Sequence, residues 1–305
     1  MIKYLNNLRM TKLPILLLLT LISAQVIAQE STLETRIQLL NRDSRARVIE
    51  SLPLDFDTHH TQGMTRVGDS FFLTAVQVID RAKGMGKGFL FKFDLQGKLE
   101  QEIQLGEGPM FHPGGIDYDG KHIWVSVAEY RANSHSIIYR VNPKSLTAEE
   151  IFRFDDHLGG IVSTRTALIG MSWGSRKLYR WKIAHDGSVK NVATPEMHLN
   201  SSHFIDYQDG QWIPETNYLV FGGLASFKLD PKRDGSAAVG GIALVDATTL
   251  MPLFELPLPI YSERGRIMNQ NPFYVELSEK GIQIRFIPDD TKSKMYTVEF
   301  PLRRK

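Results

Sequence analysis

Three histidines in this sequence recur in one short pattern, and imidazole is the side chain best suited to bind metals or to move protons near neutral pH. The pattern is His-x-x-Gly followed by Met or Ile, and it begins at His60, His112 and His157. Three neutral imidazoles that converge on an open position would hold a divalent metal ion and leave room for a substrate. The sequence therefore predicts a metal site made of these three residues, with Zn, Mn, Fe or Ca as the ion.

The same pattern also has a structural interpretation. A glycine-containing element repeated at the start of equivalent strands can be inherited for packing reasons, with each imidazole hydrogen-bonded to a backbone carbonyl or to water. Spacing alone does not separate this interpretation from the metal site.

Two weaker copies of the pattern follow later in the chain. In the fourth copy His203 lies two residues beyond the aligned histidine position, where an extended strand would still turn it to the same side. In the fifth copy Asn271 occupies the histidine position. We predict that His203 and Asn271 bind the ligand beside the three histidines.

Two acids are candidates for the proton-transfer step of an enzyme. Glu129 ends an apolar run in the second repeat, and Glu276 follows the first strand of the fifth repeat. Either carboxylate could act as a general base beside a metal-bound water. The alternative is a solvated or salt-bridged acid without a catalytic role.

The elements that must position these side chains read as β-strands. Short apolar or alternating runs, such as residues 89–93, 122–125 and 137–141, are separated by Gly, Asp, Asn and Pro, which is typical of strands joined by turns. The histidine pattern recurs after 52 and then 45 residues, close to the roughly 40 to 50 residues of a propeller blade. Closure into a ring protects the edges of the sheets. The sequence predicts an all-β chain, a single β-propeller of about five four-stranded blades.

Two features of the sequence allow variations on this architecture. Six blades are the alternative, with the extra blade built from residues 33–57 and the last strand of the chain. The fourth repeat is also longer than the others, and residues 228–240 read as an inserted loop that could contact a protein partner.

The first residues of the chain read as an export signal. A basic stretch precedes an apolar run from Leu13 to Ile22, and small or β-branched residues at Val26 and Ala28 predict cleavage before Gln29. The apolar run is shorter than the roughly 20 residues that span a bilayer, which makes an uncleaved anchor the weaker alternative. We expect a signal peptide at 1–28, a linker or short helix at 29–50 and the propeller at 51–305, in a secreted or periplasmic protein without membrane contact after cleavage.

The composition excludes several classes of function. The chain has no cysteine, so disulfides and thiolate ligands are absent and stability must come from a packed core. A net charge of +2 at pH 7 argues against nucleic acid as a partner.

The first repeats resemble a known family of enzymes. Residues 60–64 (His-Thr-Gln-Gly-Met) followed by residues 88–94 (Gly-Phe-Leu-Phe-Lys-Phe-Asp) are similar to the opening blade of the glutamine cyclotransferase propellers, which are five-bladed. By this resemblance Gln62 matches a substrate-contacting glutamine. His60 and His112 stand where that family has a phenylalanine and an acid. The chain is also similar to uncharacterised exported propellers and, more distantly, to gluconolactonase and strictosidine-synthase propellers.

These observations lead to three hypotheses about function. The first is an exported propeller whose histidine-lined channel mouth binds a small polar ligand, with metal-dependent lyase or hydrolase chemistry as its enzymatic form. The second is a non-catalytic binding or scaffolding propeller that captures a protein partner. The third is cyclisation of N-terminal glutamine, which rests on Gln62 and the likeness of the first blade.

Overall fold

Twenty β-strands make up nearly all the regular structure of the protein, which is described here from a computed structural model. The structure describes residues 32–201, 204–229 and 236–301. Within these ranges the strands form five four-stranded antiparallel units, which we call blades 1 to 5 in chain order.

The five blades have the following strands. Blade 1 contains β2 (His60–Val67), β3 (Ser70–Asp80), β4 (Met85–Asp94) and β5 (Leu99–Leu105). Blade 2 contains β6 (Met110–Tyr118), β7 (Ile123–Glu129), β8 (Ser136–Val141) and β9 (Ala148–Phe154). Blade 3 contains β10 (Leu158–Ser163), β11 (Ala167–Ser172), β12 (Lys177–Lys182) and β13 (Glu196–Leu199). Blade 4 contains β14 (Asp206–Trp212), β15 (Tyr218–Lys228), β16 (Ser236–Asp246) and β17 (Pro252–Leu258). Blade 5 contains β18 (Phe273–Leu277), β19 (Gly281–Phe286), β20 (Lys294–Pro301) and β1 (Arg47–Pro53).

The N-terminal strand β1 completes the last blade and so closes the ring. It pairs antiparallel with β20, with Arg47 opposite Glu299 and Pro53 opposite Lys294. Residues 33–57 therefore do not form the sixth blade considered above, because their strand is the outer strand of blade 5. This strand begins at Arg47, inside the segment expected to be a linker.

The rest of that segment holds a short helix, α1 (Leu33–Gln38). Its buried residues Leu33 and Ile37 join the apolar cluster between blades 4 and 5. Two 3-10 turns, Trp173–Ser175 and Met268–Gln270, complete the regular structure of the described residues.

Five buried apolar clusters hold the blades together, one in each gap between neighbouring blades. Each sheet is therefore covered on both faces, which explains why its strands read as continuous apolar runs and not as strict alternation. In β3, Phe71 packs toward blade 5 and the next residue, Phe72, packs toward blade 2. The predicted all-β propeller is the observed fold.

The glycine of the His-x-x-Gly pattern is explained by the close approach of the inner strands. A Cβ atom on Gly63 would lie 2.5 Å from the Cα of Gly115, and one on Gly115 would lie 2.8 Å from the Cα of Asp209. Blades 2 and 3 meet at a parallel bridge between Gly160 and Gly115. At this depth only a residue without a side chain fits.

A buried carboxylate, that of Asp209 in β14, ties four of the five blades together. Its Oδ2 atom accepts hydrogen bonds from the backbone N–H groups of Met64 (2.8 Å) and Phe273 (3.1 Å). Its Oδ1 atom accepts from Ile116 and Gly210, both at 3.0 Å. Burial raises the pKa of this carboxyl well above its ordinary value, and the four backbone donors act in the opposite direction.

A second buried carboxyl group, that of Asp117 in β6, repeats this arrangement between blades 2, 3 and 4. Its Oδ2 atom accepts from the backbone N–H groups of Trp212 (3.0 Å) and Ser163 (3.2 Å). Burial raises the pKa of Asp117 to about 8, against the effect of its backbone donors. The two acids together connect the inner strands of all five blades.

Two sequence expectations concern segments that the structure describes only in part. Of the loop expected at 228–240, Lys228 belongs to β15 and residues 236–240 belong to β16; residues 230–235 lie outside the described ranges. The predicted signal peptide at 1–28 also lies outside them. No helix in the described part of the chain is long and apolar enough to cross a bilayer.

We expect Asp209→Asn to destabilise the protein strongly. The amide NH₂ group would face backbone N–H donors that now point at an acceptor oxygen, and breaking such a buried polar network costs about 3–5 kcal/mol. Thermal and denaturant unfolding would measure the loss. The matched control is Asp69→Asn in the exposed turn between β2 and β3, which should stay within about 0.5 kcal/mol of wild type. Equal stability of the two variants would contradict a connecting role for Asp209.

Candidate functional site

A pocket of about 230 Å³ lies at the end of the propeller where the inner strands begin. Five of the residues singled out from the sequence line this pocket. They are His60, Gln62, His112, His157 and Asn271. The inner strands run in the same direction around the axis, so equivalent starting positions reach the same end of the ring. The structure therefore brings the three repeated histidines together.

His112 is a buried group of the pocket. Its ring stacks on Tyr130 with 4.1 Å between ring centroids, and its centroid lies 5.7 Å from that of His157. Burial, followed by the proximity of His157, His60 and Arg81, holds the pKa of His112 well below its ordinary value. Its Nδ1 atom is buried and has no hydrogen-bond partner among the described residues. His112 is thus a neutral imidazole with unused hydrogen-bonding capacity.

His157 is held in one orientation by the backbone. Its Nδ1 atom lies 2.8 Å from the carbonyl oxygen of Glu129, and because a carbonyl only accepts, the proton resides on Nδ1 and the lone pair on Nε2. The edge of Trp173 meets the imidazole at 4.7 Å between centroids. Burial lowers the pKa of His157 to about 4. This imidazole is also neutral at physiological pH.

His60 lies nearer to solvent and pairs with an acid. Its Nδ1 atom is 2.9 Å from Oδ1 of Asp290, which belongs to the loop between β19 and β20. Burial acts to raise the pKa of Asp290, but the hydrogen bond from His60 and the electrostatic attraction of His60 and Arg266 together hold this pKa below its ordinary value. The third histidine thus carries a carboxylate partner that the other two lack.

Gln62 and Asn271 differ in how far the protein already uses their amides. The Nδ2 group of Asn271 donates to the carbonyl of Thr61 at 2.7 Å, which links blade 5 to blade 1. Gln62 is 6% exposed, and within the described ranges its side chain has no hydrogen bond. Its amide lines the open pocket and is not among the fully buried polar groups of the described residues that lack a partner. Gln62 is therefore the side chain most available to a bound molecule.

Arg81 supplies a positive charge that the sequence analysis did not single out. It begins the turn between β3 and β4, and its guanidinium carbon lies 4.0 Å from the ring centroid of Tyr130 and 5.8 Å from that of Trp173. Its Nε group donates to the backbone carbonyl of Tyr130 at 3.3 Å. It forms no ion pair with an acid of the described residues. A lone arginine in a turn carries no sequence signal, because only the fold brings it over the pocket.

The acid that lines the pocket does not neutralise this charge. Asp206 at the start of β14 is paired with Arg176 at 2.5 Å. The guanidinium of Arg81 thus remains free for an anionic group of a ligand.

The two acids proposed as general bases lie outside the pocket lining. Glu129 accepts hydrogen bonds from His135 and Arg131, both at 2.8 Å. Burial acts to raise its pKa, but these two donors hold the pKa of Glu129 below its ordinary value. It remains an ion-paired carboxylate, and its contribution to the site is the backbone carbonyl that orients His157.

Glu276 lies toward the opposite end of the inner strands. It is paired with Arg66, at 3.1 Å, and with Arg285. Arg66 lies near the end of inner strand β2 and Glu276 near the end of inner strand β18, which places the carboxylate away from the histidines at the other end. The structure therefore gives no support to the catalytic roles expected for Glu129 and Glu276.

The two remaining sequence predictions concern the metal site and His203. Among the described residues no group of three or more His, Asp or Glu side chains is arranged to hold a metal ion. Two of the predicted ligands use their Nδ1 atoms within the protein, His60 toward Asp290 and His157 toward Glu129. The metal set remains a prediction from the repeat. His203 lies outside the described residues.

A family described as "Family of unknown function (DUF6454)" matches residues 17–300, and the chain belongs to this family. A comparison with curated proteins found no match. Among solved structures, the fold is similar to glutaminyl cyclase from Myxococcus xanthus, at 13% identity and a TM-score of 0.52 over 85% of this chain and 97% of that chain. It is also similar to a mannose phosphorylase from Leishmania mexicana, at 10% identity and a TM-score of 0.53 over 84% and 89% of the two chains. The resemblance to glutamine cyclotransferase propellers is thereby confirmed for the fold.

We expect His157 to make the protein less stable in acid. In the unfolded chain its imidazole takes up a proton near pH 6.5, whereas in the folded protein it does so only at about 4. The unfolded state therefore binds more protons between these values, and stability falls as the pH drops through them. His157→Asn, which keeps a donor near the Nδ1 position, should remove roughly 3 kcal/mol of this pH dependence.

Denaturant unfolding of wild type and variant between pH 4 and pH 7 would measure this difference. His185→Asn, at an exposed turn position, serves as the control and should follow the wild-type curve. If the curve of His157→Asn also ran parallel to that of wild type, a neutral buried His157 would be ruled out.

Proposed function

We propose that this member of the DUF6454 family binds a small polar molecule that carries an anionic group, in the pocket at the start of the inner strands. The observation that supports this most is unused hydrogen-bonding capacity at the base of the pocket. The Nδ1 atom of His112 is buried without a partner in the described structure, and the amide of Gln62, which makes no hydrogen bond there, lines the open pocket. Leaving the buried Nδ1 atom unsatisfied costs free energy that a ligand would recover.

The chemistry of the lining supports a polar ligand over an apolar one. Gln62 can donate and accept, the neutral His157 presents a lone pair on Nε2, and neutral His112 has one donor and one acceptor. A molecule with hydroxyl or amide groups matches this mixture. A pocket of about 230 Å³ is smaller than a typical drug-binding site, so the bound part is small.

The anionic group of the proposed ligand is inferred from the position of Arg81. Its guanidinium has no carboxylate partner among the described residues and is held against Tyr130, which fixes its position. Arginine in such a position recognises carboxylate or phosphate groups through paired hydrogen bonds. Trp173, which is 38% exposed at the pocket, offers a flat surface for the body of the ligand.

The pKa values favour binding over proton-transfer catalysis. A general base works best when its pKa lies near the working pH, whereas the pKa of His157 is lowered to about 4. Both acids considered as bases lie outside the pocket lining. His112 and His157 are therefore poor general bases at neutral pH.

Titration calorimetry tests this proposal with pairs of compounds that differ in charge. We expect glucuronate, glutamate or inorganic phosphate to bind more tightly than glucose or glutamine. Arg81→Met should weaken the binding of the anions by about tenfold or more, because a charged hydrogen bond contributes about 1.5–3 kcal/mol. It should leave the binding of the neutral compounds unchanged. Gln62→Leu should weaken both kinds of compound.

A control variant tests whether the effect is specific to Arg81, and a metal assay tests whether the three histidines bind a metal. Lys83→Met removes a neighbouring cation of the same turn that is paired with Asp80 at 3.1 Å, and it should bind as wild type does. Elemental analysis for Zn, Mn, Fe and Ca, with a titration in chelator, shows whether His60, His112 and His157 act through a metal. Failure of every anion to bind, or wild-type binding by Arg81→Met, would sink the proposal.

Glutaminyl cyclisation is the second candidate, and the position of Gln62 favours it. The glutamine that matches the family's substrate-contacting residue lines the pocket with its amide free, on a fold shared with a glutaminyl cyclase. The family's acid is replaced by His112, which is neutral here. Conversion of a peptide with N-terminal glutamine far above the uncatalysed rate, and its loss in Gln62→Leu, would support this candidate.

A further inference from the structure

One aromatic ring of the pocket has a charged group on one face and a neutral imidazole on the other. The ring of Tyr130 stacks on that of His112 with 4.1 Å between ring centroids and 21° between ring planes. The guanidinium carbon of Arg81 lies 4.0 Å from the same Tyr130 centroid. Two flat groups this close cannot share one face of a tyrosine ring, because non-bonded carbon atoms stay about 3.5–4.0 Å apart. Tyr130 therefore lies between Arg81 and His112.

The Tyr130 ring sets the distance between these two groups. Its two stacking contacts place the guanidinium carbon of Arg81 and the ring centre of His112 up to about 8 Å apart, which is two layers of van der Waals contact. The backbone carbonyl of Tyr130 also accepts a hydrogen bond from Nε of Arg81 at 3.3 Å. All three residues line the pocket. One residue thus fixes the separation of two binding groups.

Both groups at the ends of this stack keep hydrogen-bonding atoms for a ligand. The terminal NH₂ groups of Arg81 have no hydrogen-bond partner among the described residues, and they can take a carboxylate in the plane of the guanidinium. The Nε2 atom of His112 does not belong to the fully buried unpaired atoms of the described chain, so it reaches the pocket. An amide or hydroxyl group can pair with this atom in either tautomer, because it both donates and accepts.

An aromatic surface flanks the stack between its two polar ends. The indole of Trp173 is 38% exposed and lines the same pocket. Its centroid lies 6.1 Å from that of Tyr130 and 5.8 Å from the guanidinium carbon of Arg81. An apolar surface between two polar groups matches a ligand whose own polar groups are separated by methylene groups.

We propose that Tyr130 is a specificity-determining spacer, and that the pocket selects carboxylates that carry a neutral amide or hydroxyl group several bonds away. The carboxylate binds Arg81, the neutral group binds His112, and the methylene chain lies on Trp173. Because single bonds are about 1.5 Å long, a chain of roughly six carbons spans the separation and one of about three does not. This inference rests on the proposed function, since it needs Arg81 to bind an anion, and it adds the class of ligand.

Titration calorimetry with a homologous series of ω-amido carboxylates tests the spacing. Malonamate, succinamate, glutaramate and adipamate share both end groups and differ only in the number of methylene groups. We expect adipamate to bind about tenfold more tightly than malonamate, because only the long compound reaches both Arg81 and His112. Hexanoate, which has the same chain length without the amide, should also bind about tenfold more weakly than adipamate.

Two variants of Tyr130 test whether its ring is the spacer. Tyr130→Leu should remove most of the preference for adipamate over malonamate, whereas Tyr130→Phe should keep it, because the ring and not the hydroxyl makes the stack. A general loss of stability would lower both affinities alike and leave their ratio unchanged. Tyr261→Leu removes a tyrosine that is 50% exposed outside the pocket lining, and it should match wild type. If Tyr130→Leu does not fold, the series with wild type and Tyr130→Phe still decides.

The outcomes separate this inference from the proposed function. Equal binding of malonamate and adipamate by wild type, with both lost in Arg81→Met, would overturn the spacing and leave the anion site standing. The same holds if glucuronate or phosphate binds and no member of the series does. Binding of no anion at all would overturn both proposals. A wild-type preference for adipamate in Tyr130→Leu would contradict the role of the ring.

Discussion

The carboxylate of Asp209 accepts four backbone hydrogen bonds at the centre of the ring, and the arrangement of the inner strands depends on it. Its donors come from blades 1, 2, 4 and 5, and Asp117 connects blade 3 to this set. Inner strands of a propeller cannot pair along their length, so their backbone groups need other partners. Two acids satisfy several of those groups and fix the relative height of the strands.

This fixed height is what assembles the pocket. With the glycines of the repeat pressed against neighbouring backbone, each histidine three residues earlier falls at the same level of its strand. Burial by the surrounding strands then keeps His112 and His157 neutral. The repeated pattern that packs the inner strands together therefore also supplies the polar lining of the pocket. The metal interpretation and the packing interpretation of the repeat both require this geometry.

The parts that the sequence predicts are those with a local signature. Strand runs and the repeated His-x-x-Gly pattern indicate the propeller and the meeting of His60, His112 and His157. Arg81 and Asp209 have no such signature, because their roles arise from contacts between residues far apart in the chain. Glu129 shows a second limit of prediction from sequence. Its carboxylate accepts hydrogen bonds from Arg131 and His135, and only its backbone carbonyl contacts a residue of the pocket, His157.

The pairing of β1 with β20 sets an order of events for folding. Arg47 and Glu299 are partners, so the ring cannot close until almost the whole chain is present. Contacts of such high sequence separation form late and slowly. Blades 1 to 4 can form as the chain emerges, but β1, which is made first, remains without its partner until β20 has been made. During that interval β1 is an unpaired strand, and such a strand can pair with another chain and so promote aggregation.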